Sequence, residues 1–127
     1  VYDVEQTATT IRDAIRDIPK TYEYNEKDIK RLDQETQDLL HLAELTNFNA
    51  FEGYSIAKEI QSVRQARRQL KDENEMLVEL HSIMKELQPY LKDLNKSLGN
   101  IRQIKKKHAV RTYRCRERKD LQGRISG

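Results

Sequence analysis

Apolar residues recur along this chain at alternating steps of three and four, the spacing that lines them up on one face of a helix. Val4, Ala8, Ile11, Ile15 and Ile18 form the first such line. Pro19 follows, and a proline pushes the residue before it out of the helical region, so the pattern predicts a first helix over residues 2–18 that ends there. Lys20 to Tyr24 then reads as a connector. Asn25 has the chemistry of an N-cap, with Glu26 and Asp28 placed in the first turn to oppose the positive end of a helix dipole. From there Ile29, Leu32, Thr36, Leu39, Ala43 and Thr46 carry a second helix over residues 25–46.

Asn47 to Gly53 reads as the turn between helices, with Phe48 and Phe51 packing it down. A third and longest helix is predicted over residues 54–98, about 50 Å long between Tyr54 and Gln88 if unbroken. Its seam is Ile56, Ile60, Val63, Arg67, Leu70, Asn74 and Leu77, after which the apolar line changes phase to Leu80, Met84, Leu87, Leu91, Leu94, Leu98 and Ile101. Pro89 falls inside that second line, where the unbroken spacing favours a kink or a restart over a long loop. Gly99 and Asn100 read as a helix stop, residues 101–127 as a polar tail, and its end from Leu121 to Gly127 as frayed.

Composition narrows the class. The chain has 127 residues, 36% hydrophobic and 35% charged, with no Trp and two Phe, which suits helices that each bury a narrow stripe better than one thick core. Four Gly and two Pro leave little material for the turns of a β-sandwich or barrel. No apolar run is long enough for a membrane span, and the N-terminus lacks the regions of a signal peptide, so a cytoplasmic location is expected. The lone Cys115 agrees with a reducing compartment, having no partner within the chain for a disulfide. Charge is unevenly spread: residues 1–100 carry 14 Lys and Arg against 19 Asp and Glu, while residues 101–127 carry 10 against 2.

Catalytic chemistry finds no foothold. There is no Gly-rich phosphate loop and no clustered nucleophile, base and acid, so no enzyme activity, cofactor or metal is expected. Asp38 and His41 have the spacing of half a di-metal helix site, but the second such pair is missing, and a solvated His41 is expected. Cys115 between Arg114 and Arg116 reads as an incidental exposed thiol. Arg67 and Asn74 on the seam are candidates for setting register, since a polar seam residue fixes pairing at some cost in stability; by that reasoning Asn74→Leu is expected to stabilise. The other reading is that both reach water along their stems.

The tail holds the strongest chemical signal. Arg102, Lys105, Lys106, Lys107, Arg111, Arg114, Arg116, Arg118 and Lys119 supply cations for phosphates, and Tyr113 an aromatic face for stacking on a base, so DNA or RNA is a candidate partner there. An anionic membrane surface, an acidic protein groove or a merely solvated terminus are the other readings of the same charges. Cys115-Arg116-Glu117-Arg118-Lys119 looks like the basic region of leucine-zipper transcription factors, but no heptads follow it in this sequence and the match is expected to be compositional. Ser55 to Ile60 opens like a helix-turn-helix, yet the apolar spacing runs straight through to Arg64, which favours one continuous helix.

Arg67-Arg68-Gln69-Leu70-Lys71-Asp72-Glu73, within a short helical chain poor in cysteine, resembles segments of small helical proteins of bacteriophages that infect Gram-positive bacteria. The resemblance covers one helix and implies an accessory protein that binds a host or viral partner. The expected architecture is all-α: an elongated helical bundle or antiparallel coiled coil with a long central helix and a basic C-terminal extension. Self-association, a dimer above all, is expected through the seam from Ile56 to Ile101. The expected function is a non-enzymatic adaptor or inhibitor that binds a protein partner, with Phe48, Phe51 and Tyr54 as interface candidates against the competing reading that these rings seal the end of the bundle, the alternative function being nucleic-acid binding through the tail.

Overall fold

A computed structural model describes residues 1–125 and is an all-α bundle. Its helices are α1 (Val4–Leu45), α2 (Ala50–Glu86) and α3 (Leu91–Ala109), with short 3-10 turns at Gln88–Tyr90 and Lys119–Arg124 and no strand among the described residues. The chain divides into two compact units: Asp13–Pro89, a helical hairpin, and Val1–Arg12 together with the chain from Tyr90 on.

The expected break after Ile18 is absent, for Pro19 lies inside α1 and Lys20 to Tyr24 are helical. The heptad line in fact never stops. Tyr22 and Asn25 bridge Ile18 to Ile29 at the same steps of three and four, and Ile15, Asn25, Ile29, Leu32 and Thr36 are all buried along it. A mid-helix proline removes one N–H and leaves the carbonyl four residues earlier without its partner. That carbonyl belongs to Ile15, and Gln88 supplies the missing donor, its Nε2 donating to the Ile15 oxygen. Asn25 is therefore a buried seam residue and not an N-cap. At 42 residues α1 is the longest helix, about 60 Å, where the third had been expected to be.

Within the hairpin unit α1 and α2 run antiparallel. Moving up α1, Ile15 pairs with Gln88, Tyr22 with His81, Asn25 with Asn74 and Asp33 with Arg67. The α2 seam keeps one register throughout: Ile56, Ile60, Val63, Arg67, Leu70, Asn74, Leu77, His81, Met84 and Gln88 are all half-buried or buried. The expected change of phase at Leu77 does not occur in α2. Gln88 turns inward to meet the Ile15 carbonyl and His81 to pack on the Tyr22 ring, 4.4 Å between centroids, and Leu80 turns outward. The α2 seam residues from Ile56 to Met84 thus face α1.

In the second unit α3 buries Leu98, 1% exposed, on a line with Leu91, Leu94 and Ile101. Gly99 and Asn100 do not stop this helix, which runs on to Ala109. Neither residue has the positive φ of a helix-ending cap, and open space surrounds the position of a Gly99 Cβ. Glu5 on α1 binds Arg102 at 3.0 Å and Lys105 at 2.8 Å. Beyond α3, Gln122 ties the chain together, accepting from the Cys115 N–H at 2.6 Å and donating to the Tyr113 carbonyl at 2.8 Å. The 3-10 turn Lys119–Arg124 overlaps the end expected to fray, Leu121 to Gly127, whose last residues, Ser126 and Gly127, lie outside the described residues.

Candidate functional site

The tip of the hairpin is built by an N-cap. Asn49 Oδ1 accepts the Glu52 N–H at 2.8 Å, so α2 begins at Ala50, and most of the turn expected at Asn47 to Gly53 is already helix. The three candidate interface side chains part company here. Phe48 lays its ring beside Gly53, close enough that a Cβ at Gly53 would meet ring carbons at 3.1 and 3.2 Å, while remaining 46% exposed. Phe51 and Tyr54 are open to solvent, 75% and 62% exposed, with the Lys58 ammonium 5.7 Å from the Tyr54 ring centroid. Leu42 and Leu45 of α1 join them as exposed large apolar groups, and a shallow groove of about 270 Å³ runs between Leu42, Phe48, Phe51 and Ile56. Both leucines were readable in the sequence as apolar residues off the α1 seam, a signal that the seam-first reading passed over.

The basic candidates divide as well. Arg102, Lys105, Lys106 and Lys107 stand on α3, whose last turn places Lys106, Lys107 and His108 against the negative end of the helix dipole. Arg102 and Lys105 are engaged by Glu5, whose carboxyl is held below its usual range chiefly by the Lys105 bond and then by Arg102. Arg118 is held by Asp120 at 2.9 Å. Lys106, Lys107, Arg111, Arg114, Arg116 and Lys119 are exposed and form no ion pair among the described residues, and Tyr113 is 60% exposed beside them. Cys115, expected to be exposed, is buried under the Gln122 clip.

Arg67 and Asn74 both point into the hairpin. Arg67 Nε bonds the Asp33 carboxylate, with Arg64 4.0 Å from the same oxygen. Asn74 sits in a buried network: its Oδ1 accepts from Asn25 Nδ2 at 2.9 Å, and its Nδ2 donates to Glu26 at 2.9 Å and to the Tyr22 carbonyl at 3.1 Å. Asn25 Nδ2 also donates to Glu73 at 2.8 Å. The Arg67 side chain is 20% exposed and Asn74 is 5% exposed, so neither reaches water freely. The partner, Asn25, was missed because Pro19 had hidden the heptad that contains it.

His41 is exposed near Glu44, at 3.5 Å, and Asp38 lies one turn away. No group of three or more His, Cys, Asp or Glu is gathered closely enough for a metal ion among the described residues. No helix among them is long and apolar enough to cross a membrane. Comparison with protein-family models, with curated proteins and with solved structures finds no match to this chain.

Proposed function

We propose that this chain is a non-enzymatic, cytoplasmic adaptor or inhibitor that binds a protein partner through the hairpin tip. One observation carries the reading: Phe51, 75% exposed, lies with Leu42, Phe48 and Ile56 along a shallow groove at a turn ordered by the Asn49 cap, and Tyr54 stands exposed in the first turns of the same helix. Aromatic side chains on a pre-ordered element are the usual anchors of a protein interface, because little entropy is lost when they are covered. Phe48 supports the anchor, while Phe51 and Tyr54 are the anchor.

The test is a pull-down from the native cell, with nuclease treatment, using the whole chain and the double variant Phe51→Ser, Tyr54→Ser. A dominant protein partner that survives nuclease and is lost with the variant, at unchanged melting temperature, supports the proposal. Partner binding equal in the two proteins refutes the tip as the anchor.

A second reading rests on the unpaired cations Lys106, Lys107, Arg111, Arg114, Arg116 and Lys119. As a basic C-terminal extension they would bind DNA or RNA with little sequence preference and with affinity falling steeply as salt rises. Replacing Lys106, Lys107, Arg114 and Arg116 by Gln should then lower affinity for single-stranded nucleic acid and flatten its salt dependence. Arg102, Lys105 and Arg118 contribute less to this reading, each being already engaged by a carboxylate.

A further inference from the structure

The hairpin's second helix has an apolar face that its own seam does not explain. Met76, Leu80 and Ile83 follow one another at steps of four and three on the side of α2 turned away from α1, and they are 69%, 42% and 50% exposed. Single exposed apolar residues are ordinary on a helix surface, whereas three stacked over two turns form a continuous patch. Beside this stripe run Asp72, Glu75, Glu79 and Glu86, all exposed and none in an ion pair or hydrogen bond among the described residues. Arg68 and Lys71 line one groove with Asp72 and Glu75 at the start of the ridge, and Lys85 is bound to Glu23 at 3.0 Å, so Glu79 and Glu86 are the carboxylates with no cation three or four residues away.

We infer that the outward face of α2 between Asp72 and Glu86 is a docking surface for a basic amphipathic helix of a protein partner. Such a helix would lay its own apolar line on Met76, Leu80 and Ile83 and set lysines or arginines along the carboxylate ridge. That is helix-on-helix recognition with a charge code on the flank. Charge also argues against a second copy. An antiparallel pair centred on the stripe would bring Glu79 against its own counterpart, and a parallel pair would set it against the flank of Leu70, Leu77 and Met84, so neither arrangement offers Glu79 a cation. The surface is separate from the hairpin tip, and its success or failure leaves the tip's role undecided and distinct.

The probe is a synthetic amphipathic helix of leucine and lysine, with its leucine and glutamate counterpart as control, titrated calorimetrically into the whole chain. The lysine peptide should bind and the glutamate peptide should not. Leu80→Ser with Ile83→Ser should weaken binding at least tenfold. Glu75→Gln with Glu79→Gln should weaken it about tenfold at low salt and progressively less as salt rises, because exposed charges are screened. Phe51→Ser with Tyr54→Ser should leave it unchanged. A nitroxide on the lysine peptide should broaden the amide signals of residues 72–86 in the unaltered protein, a readout that needs no variant to fold. Affinity within twofold of the parent in both α2 variants would overturn the inference, as would broadening centred elsewhere. So would a homodimer in sedimentation that Leu80→Ser with Ile83→Ser dissociates, for then a second copy is the occupant.

Discussion

The buried asparagine pair gives the sharpest expectation about the hairpin. Taken alone, a polar seam residue such as Asn74 invites the forecast that Asn74→Leu stabilises, and Asn25 reverses it. The single substitution removes the bonds to Asn25, Glu26 and the Tyr22 carbonyl, each worth about 0.5–1.5 kcal/mol net. It also leaves Asn25, 4% exposed, facing a leucine with one donor hydrogen unmatched, at a cost of about 1–3 kcal/mol. The gain from burying a leucine, about 1.5–3 kcal/mol, does not cover both. Asn74→Leu and Asn25→Leu should therefore each destabilise by about 2–3 kcal/mol. The double variant loses the network but strands no partner and buries two leucines, so it should lie within about 1 kcal/mol of the parent and well above the sum of the two singles. The assay is urea unfolding followed by helical circular dichroism on all four proteins, with the coupling taken from the cycle. Singles that both stabilise and add to the double within about 0.5 kcal/mol would refute the reasoning.

The Pro19 repair predicts a dependence between distant positions: Gln88→Leu should cost about 1 kcal/mol in the parent and much less in a Pro19→Ala background, where residue 19 can again donate to the Ile15 carbonyl. Equal losses in both backgrounds, read from melting curves, would dismiss that role for Gln88. Gly99→Ala should stabilise by about 0.5–1 kcal/mol, since the glycine sits inside α3 at ordinary φ with open space around its missing Cβ; a lower melting temperature would contradict it. Glu5 is held below its usual 4.5 in the folded chain, so its contribution is present above that value and is lost as pH falls through the lower folded one. Stability should accordingly drop in that acid window, and Glu5→Gln should make the drop shallower; an identical acid profile for the two proteins would argue that the Lys105 and Arg102 bonds carry no stability.

The sequence by itself determined that this chain is helical and where two of its faces lie. Steps of three and four between apolar residues have no other economical reading, and the seam from Ile56 to Leu77 and the α3 line from Leu91 to Ile101 stand where that spacing places them. It also contained the whole α1 heptad through Tyr22 and Asn25, but a local rule about proline outweighed it. Only the tertiary structure decided that conflict, because the side chain that satisfies the Ile15 carbonyl comes from Gln88, a residue far along the chain. The same holds at Leu77, where hydrophobicity alone follows Leu80, while the positions of Tyr22 and Ile15 on the facing helix bring His81 and Gln88 inward. At the tip, residue type named the aromatics, but that Phe48 is less open than Phe51 and Tyr54 depended on Gly53 lying beside its ring. Periodicity is a property of one helix and is written in its own residues; the choice among competing faces, caps and polar partners belongs to pairs of residues that only the fold brings within reach of each other.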